Sequence, residues 1–271
     1  MEIKHSEYGE YNKLTVQLSV IRIDGYGLWT TTLGTDRESH LQMLQAKIYY
    51  DIQRLFSQRD CIAYSNRFDE FFAVTNCLSI QDHMLIELEL ANTYPNLKMS
   101  MAIGNGDTPY KANLNAYEAR RSGKLLVYGH RIFGGNLNIP SDSTAKDNYV
   151  KIMHIDIDGS STISNQLSPY EITSLVIKIY SRLSDEFLKI DSLTFFLGGD
   201  NFMVISNGVT DNETQRIIND ISMDLKIKLN CGIGIARTGK GAAEASTRAL
   251  DTIRDMRKRG KVQPIYEIQC L

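Results

Sequence analysis

The sequence carries one pattern of strands and helices twice, and this repeat restricts the possible folds more than any other feature. Corresponding landmarks in the two copies are the end of a first strand, the turn of a hairpin and the middle of a later strand. These landmarks are Asp24 and Asp156, Asp69 and Asp200, and Ile103 and Ile233. Their spacings are 132, 131 and 130 positions. Three landmarks at nearly one spacing indicate an internal duplication.

Each copy has the order strand, helix, two strands, helix, strand, followed by one more helix and strand. The first six elements are typical of a ferredoxin-like domain, which has its helices on one face of the sheet. We therefore predict an α+β protein with two tandem ferredoxin-like (βαββαβ) domains. The domains are expected at residues 1–132 and 149–271, joined by a polar linker at 133–148. Residues 124–128 are expected to form the last strand of the first domain.

The second copy contains a hairpin at residues 195–206 whose turn is Gly198-Gly199-Asp200-Asn201. Glycines permit a sharp turn and the close approach of a ligand. In this topology the first strand lies beside the hairpin. Asp156 and Asp158 are therefore expected to face Asp200, and Asp24 to face Asp69 and Glu70. For any single aspartate, a turn or cap residue is the alternative interpretation.

Carboxylates that converge at a strand end repel one another unless a cation neutralises them. Magnesium prefers such oxygen ligands and shares itself between carboxylates and phosphates, and two ions together can assist a phosphate displacement. The predicted metal ligands are Asp24, Asp69, Asp156, Asp158 and Asp200. The four that we also expect to be catalytic are Asp24, Asp69, Asp156 and Asp200.

Small residues follow the first strand of each copy and leave backbone N–H groups free to bind phosphates. The candidate ligand-binding residues are Gly25, Gly27, Gly159, Ser160, Gly198, Gly199, Asn201 and three arginines, Arg37, Arg67 and Arg237. Arg37 is equally typical of a solvated first helical turn, and Arg67 of a space-filling residue. His154 is more typical of a packed strand histidine than of a general base. The basic helix end at residues 254–261 is explained by the helix dipole.

Composition excludes several classes of function. The 271 residues carry 30 Lys and Arg against 32 Asp and Glu, so no global positive charge attracts nucleic acid. The four cysteines and five histidines form no zinc motif. No apolar run approaches the roughly 20 residues of a membrane span, and the polar start lacks the apolar core of a signal peptide. We expect a cytoplasmic protein without nucleic-acid or membrane partners, and a homo-oligomer.

The strand end and hairpin of the second copy resemble the palm domain of GGDEF diguanylate cyclases and class III nucleotide cyclases. Over nearly the whole chain, six motifs in order resemble the archaeal GTP cyclohydrolase III family: IDGYGLWT, RESHLQMLQAKIYYD, NRFDEFFAVTN, HIDID, GGDNFMVISNG and CGIGIART. The resemblance implies tandem palm domains and a reaction on GTP. In that reaction the imidazole ring of guanine opens, the formyl group is retained, and two phosphates leave. The product is 2-amino-5-formylamino-6-(5-phosphoribosylamino)pyrimidin-4(3H)-one, on a route to riboflavin and deazaflavin cofactors.

The resemblance also implies magnesium and a monovalent cation such as potassium as cofactors. Asp156 and Asp200 match the cyclase metal positions best. Asn201 stands where GGDEF proteins have a metal-binding glutamate, so a GGDEF-type site is altered here. In the first copy, Asn66-Arg67-Phe68 replaces the glycines. Two alternatives stay open: an enzyme that forms a cyclic nucleotide or dinucleotide, and a GTP-binding sensor without turnover. The residues do not decide which copy holds GTP, although a site shared between the copies is favoured.

Overall fold

The computed structural model describes residues 15–135, 149–160, 163 and 165–270. The first half contains strands β1 (Val16–Ile23), β2 (Ile62–Arg67), β3 (Glu70–Val74), β4 (Met99–Gly106) and β5 (Ile132–Gly134). Its helices are α1 (Tyr26–Thr30), α2 (Arg37–Ser57), α3 (Ile80–Thr93) and α4 (Pro109–Arg121), with a 3₁₀ turn at Thr31–Leu33.

The second half repeats these elements. Its strands are β6 (Val150–Ile157), β7 (Leu193–Gly198), β8 (Asn201–Ile205), β9 (Leu229–Ala236) and β10 (Ile265–Cys270). Its longer helices are α5 (Pro169–Leu188), α6 (Asp211–Leu225) and α7 (Gly239–Lys258). Within the described residues, no helix is both long and apolar enough to cross a membrane.

The two five-stranded sheets have the same topology. Their strand orders are β2-β3-β1-β4-β5 and, read in the same direction, β7-β8-β6-β9-β10. The last strand of each sheet pairs parallel with its neighbour and the other pairs are antiparallel. This arrangement confirms the predicted α+β fold with a duplicated ferredoxin-like core.

The predicted last strand of the first half was misplaced. Strand β5 lies at Ile132–Gly134, and residue Leu125 forms only an isolated bridge with Phe133. The sheet of the first half therefore continues to Gly134. Residues 136–148 of the predicted linker, like residues 1–14, lie outside the described residues, and the domain boundaries stay a prediction.

Each sheet is covered by helices on both faces, which differs from the predicted single face. Helices α2 and α3 pack against one face of the first sheet through Ile48, Ile52 and Ile86. Helix α4 packs against the other face through Ala112 and Ala116. The ferredoxin-like core accounts for the first layer only, and the additional helix after it supplies the second.

Helix starts follow local capping chemistry. Ser79, Ser168 and Thr210 each accept a hydrogen bond from the backbone of the third helical residue, whose carboxylate bonds back to the cap. The capping box predicted for Thr210 and Glu213 is thus confirmed. Such caps satisfy N–H groups that the first helical turn leaves unpaired.

The alignment of the two first strands differs by two residues from the one predicted. Ile23 pairs with Met99 and Ile157 pairs with Leu229, so the strand ends are 134 positions apart while β4 and β9 are 130 apart. The counterpart of Asp24 is therefore Asp158. Consistently, the backbone N–H of Asp24 donates to Lys98, and that of Asp158 to Lys228. The counterpart of Asp156 is Arg22.

The two halves share one apolar core. Tyr64 of β2 stacks on Phe195 of β7 with ring centroids 4.6 Å apart, and the Tyr64 hydroxyl donates to Met203 Sδ at 3.3 Å. Around this stack, residues from β1, β3, β4 and α4 meet residues from β6, β8, β9 and α7 in one buried cluster. The halves are therefore joined by an interior rather than by a polar surface.

The edges of this interface are related by the duplication. The N–H of Tyr110, in the first turn of α4, donates to the carbonyl of Asp191 at 3.0 Å. In return the N–H of Lys240, in the first turn of α7, donates to the carbonyl of Asp60 at 3.1 Å. Asp60 and Asp191 both have left-handed backbones, with φ of 56° and 59°. The same contact is thus made twice, once in each direction.

The stack predicts a measurable coupling between the halves. Tyr64→Ala removes a fully buried ring and should lower the free energy of unfolding by about 3–5 kcal/mol, the usual range for truncating a large buried aromatic side chain. The matched control is Tyr128→Ala, because Tyr128 is 99% exposed and its loss should change stability by about 0.5 kcal/mol or less. Urea unfolding measures both. Equal stability of the two variants would contradict a shared core.

Candidate active site

The end of strand β6 holds a buried aspartate. Asp156 is only 4% exposed. One carboxylate oxygen accepts from Asn230 Nδ2 at 2.9 Å, and the other accepts from Arg254 Nη2 at 2.6 Å. This hydrogen bond to Asp156 is the main reason that the pKa of Arg254 is raised. Because a buried carboxylate is stable only with such partners, the position of Asp156 depends on helix α7.

Asp158 lies just beyond the strand and is paired in the same way. Arg257 Nη1 lies 2.5 Å from Asp158 Oδ1, and Arg257 Nη2 donates to Asn230 Oδ1 at 2.7 Å. Arg254 and Arg257 are three residues apart on α7, a spacing that places them on one helix face. The helix dipole, which the sequence offers as the reason for this basic helix end, does not account for these contacts with Asp156 and Asp158. The spacing itself was the pattern that could have revealed them.

The hairpin turn brings a third carboxylate to this end of the sheet. Gly198 and Gly199 have φ of 106° and 62°, a left-handed conformation that favours glycine, and Asp200 follows them. Asn201 Nδ2 donates to Asp200 Oδ1 at 3.1 Å. The turn therefore has the form that the sequence predicted.

His154 holds the other side of the Asn201 amide. His154 Nε2 lies 3.0 Å from Asn201 Oδ1, and its Nδ1 lies 3.1 Å from Thr247 Oγ1. Since the Asn201 amide nitrogen is directed at Asp200, its oxygen accepts from His154 Nε2–H. Burial lowers the pKa of His154, so its neutral form is favoured. With both ring nitrogens engaged, His154 acts here as a packed strand histidine that orients Asn201.

The three aspartates, Asn230 and the two arginines line one cleft of about 610 Å³. It contains three carboxylates, three basic side chains and the small residues after β6. Its lining is Asp156, Ile157, Asp158, Gly159, Ser160, Asp200, Asn230, Arg254, Arg257 and Lys258. The sequence thus correctly placed Asp156, Asp158, Asp200, Gly159 and Ser160 together.

A second, mostly apolar cavity of about 490 Å³ adjoins the cleft. The two share Ile157, Ser160 and Asp200. Apolar side chains of α5 and β7 form most of the remaining wall, among them Ile172, Val176 and Phe196. A charged cleft joined to an apolar cavity can accommodate a ligand with one anionic and one flat, less polar part.

The donor chemistry of the cleft fits magnesium only together with a ligand. Among the described residues, no group of three or more His, Cys, Asp or Glu side chains is arranged to hold a metal ion. Magnesium, however, commonly takes one or two carboxylates and completes its coordination with phosphates and water. Asp156, Asp158 and Asp200 offer such oxygens, and the first two are neutralised by arginines. A cation that arrives with a phosphate would replace those arginines at the carboxylates.

The corresponding end of the first half has a different charge pattern. Asp24 accepts from Ser100 Oγ at 2.9 Å and from Arg131 Nη2 at 2.7 Å. Ser100 is the counterpart of Asn230, but it donates to Asp24, whereas Asn230 donates to Asp156, the counterpart of Arg22. The N–H of Ile23 donates to the carbonyl of Asp69 at 2.9 Å, so Asp69 lies beside this strand end as predicted.

Arg67 is bound to the hairpin carboxylates of the first half. Its guanidinium lies 3.6 Å from Asp69 and 3.4 Å from Glu70. Arg22 takes the place of Asp156, so this half has one carboxylate fewer at its strand end. It does not repeat the acidic set of the second half.

The remaining sequence candidates are dispersed. Gly25 has a φ of 66°, and its counterpart Gly159 has 71°, so both permit the turn after the first strand, while Gly27 lies in the short helix α1. Arg37 opens α2 on the surface and lies 3.5 Å from Glu38. Arg237 follows the end of β9 that pairs with Val150, at the opposite end of the sheet from Asp156. It therefore does not join the acidic cleft.

Comparison with solved structures finds palm domains at low similarity. A GGEEF domain of a diguanylate cyclase from Vibrio cholerae is 14% identical, with a TM-score of 0.36, over 45% of this chain and 85% of that one. A bacterial light-regulated adenylyl cyclase is 15% identical, with a TM-score of 0.32, over 39% of this chain and 72% of that one. Strand order and register define the fold instead.

Comparison with known sequences gives a closer relationship. The GTP cyclohydrolase III family model matches residues 18–266. The GTP cyclohydrolase III of Methanothermobacter thermautotrophicus is 36% identical over 240 residues, which cover 88% of this chain and 94% of the relative. That of Methanocaldococcus jannaschii is 36% identical over 242 residues, 88% of each chain. The predicted family is confirmed: this chain belongs to the GTP cyclohydrolase III family of enzymes.

Proposed function

We propose that this protein hydrolyses GTP with magnesium, opens the imidazole ring of guanine and releases two phosphates. The product is the formyl-retaining pyrimidine 2-amino-5-formylamino-6-(5-phosphoribosylamino)pyrimidin-4(3H)-one. The observation that supports this best is the acidic and basic cleft of the second half, joined to an apolar cavity. Family membership supports the substrate and the reaction.

We place catalysis in the second half because only there does the strand end supply two aspartates opposite the hairpin aspartate. In the first half the position of Asp156 is occupied by Arg22, as the strand register shows. A guanidinium repels a divalent cation and cannot serve as its ligand. The alternative is that Asp24 and Asp69 also hold metal. Matched variants of the two halves decide between these possibilities.

The two cavities suggest how GTP lies. The triphosphate would occupy the charged cleft, where Arg254, Arg257 and Lys258 can contact its oxygens once the carboxylates are neutralised. The guanine would enter the apolar cavity beside Phe196 and Ile172. Gly159 forms the turn after β6, and because it has no side chain it leaves room for a phosphate in the charged cleft. Asp200 borders both cavities, so it lies between the two parts of the ligand that react.

Magnesium held by Asp156 and Asp200 would neutralise the triphosphate and activate it toward attack by water. The chain's own contribution is to fix these carboxylates. Asn230 and Arg254 hold Asp156, and Asn201, oriented by His154, holds Asp200. The proposal includes two magnesium ions per site, activation by potassium, a cytoplasmic location and a homo-oligomer.

Analysis of the products tests the reaction. The purified protein is incubated with GTP, magnesium and potassium, and absorbance and phosphate release are followed. The expected result is loss of the guanine absorbance with two phosphates released per GTP. An unchanged guanine spectrum with release of pyrophosphate would indicate a cyclising enzyme instead. Stable GTP binding with neither change would indicate a sensor.

Matched variants of the two halves test where catalysis takes place. Asp200→Asn removes a carboxylate charge at nearly constant volume, and Asp69→Asn makes the same change at the equivalent position of the first half. Asp200→Asn should lower kcat at least a hundredfold, because the charge that holds the metal is lost, while Asp69→Asn should lower it less than tenfold. Turnover and circular dichroism are measured for both. A larger loss in folded Asp69→Asn would place catalysis in the first half.

A further inference from the structure

The first half contains a separate cavity of about 550 Å³ between α4 and the sheet. It shares no lining residue with the catalytic cleft. Three arginines, two tyrosines, one glutamate and several apolar side chains line it. These are Val20, Arg22, Glu70, Phe72, Ala102, Tyr110, Asn113, Leu114, Ala116, Tyr117, Arg120 and Arg121.

The arginines of this cavity are incompletely paired. In the part of the chain that the structure describes, the side chains of Arg22 and Arg121 have no hydrogen-bond or ion-pair partner. Arg120 Nη2 donates to the carbonyl of Val20 at 3.0 Å. Its Nη1 is buried without a hydrogen-bond partner and lies 4.0 Å from Asp24. A buried donor without a partner is unfavourable and indicates a missing acceptor.

The nearby carboxylates already have cationic partners. Glu70 faces the cavity, but it accepts from Asn66 at 3.1 Å and lies 3.4 Å from Arg67. Asp24 is bound by Arg131 through both Nε and Nη2. Neither carboxylate is therefore free to neutralise Arg22 or Arg121, and the cavity keeps an excess of positive charge.

The duplication provides an internal comparison. In the second half, the positions of Arg22, Arg120 and Arg121 are taken by an acidic, an apolar and an acidic residue. These counterparts are Asp156, Leu250 and Asp251, from the register of β1 with β6 and of α4 with α7. All three positions are therefore basic in the first half and none of them is basic in the second, and the three arginines line one cavity.

We propose that this cavity binds a pyrophosphoryl anion without a divalent cation, either free pyrophosphate or the diphosphate part of a nucleotide. Guanidinium groups match phosphate oxygens with paired hydrogen bonds, and several together fit the multiple charges of a pyrophosphoryl group better than a single carboxylate. Arg22 and Arg121 supply free donors, and Arg120 Nη1 supplies the buried one. The volume lies in the usual range for small-ligand sites. The apolar wall and the rings of Tyr110 and Tyr117 leave room for a nucleoside.

Equilibrium dialysis in EDTA tests this site without turnover, using labelled pyrophosphate and labelled GTP separately on the full chain. The expected result is one saturable site per chain, at least tenfold weaker in Arg22→Gln and absent in Arg22→Asp, which restores the residue type of the second half. Arg22 lies exposed at a strand end, so both variants should fold. Asp200→Ala should bind as the wild type does, because Asp200 lines the catalytic cleft and the apolar cavity beside it but not this cavity.

The two ligands distinguish the source of the anion. Equal affinities would identify inorganic pyrophosphate as a sufficient ligand, and at least tenfold tighter binding of GTP would identify a nucleotide; both support the site. The absence of saturable binding by either ligand, or undiminished binding by Arg22→Asp, would overturn it. Binding that is lost in Asp200→Ala but kept in Arg22→Asp would assign the anion to the catalytic cleft. Turnover with magnesium is measured separately, so failure of the proposed reaction does not affect this result.

Discussion

Helix α7 lies so close to strand β9 that only glycine fits at two positions of the strand. A Cβ on Gly232 would overlap the carbonyl of Ser246 and lie 2.6 Å from the nitrogen of Leu250, and one on Gly234 would overlap the backbone of Ala242. Gly104 meets α4 in the same way in the first half. This close packing covers the second face of each sheet. It brings Arg254 and Arg257 to the acidic strand end and builds the core that the halves share.

The two halves therefore share one backbone fold but differ in the charged residues at the ends of their first strands. In the second half, buried Asp156 is neutralised by the guanidinium of Arg254. In the first half, Arg22 takes that position, and the carboxylates nearby are already held by Arg67 and Arg131. In the proposed function only the second half holds the metal, and the positive charge of the first half is then available for the proposed anion site.

The order of elements, the hairpin and the acidic cleft could be predicted because they depend on local patterns: strand periodicity, the Gly198-Gly199 turn and aspartates at a strand end. The strand register could not, because spacing along the chain also counts loop residues. Only the hydrogen-bonded partners Met99 and Leu229 reveal that Asp24 corresponds to Asp158. Arg254 was misassigned because its partner Asp156 is 98 positions away, and that contact depends on how closely α7 packs. The second helical layer was missed since the ferredoxin-like pattern does not include it.

We propose that only the second half binds the divalent cation. Anomalous diffraction from crystals soaked with manganese and a non-hydrolysable GTP analogue tests it most directly, because manganese takes the oxygen ligands of magnesium and can be located by its own scattering. We expect anomalous peaks beside Asp156 and Asp200 and none beside Asp24 and Asp69. Peaks beside Asp24 and Asp69 would refute the proposal, whether or not the second half also shows them.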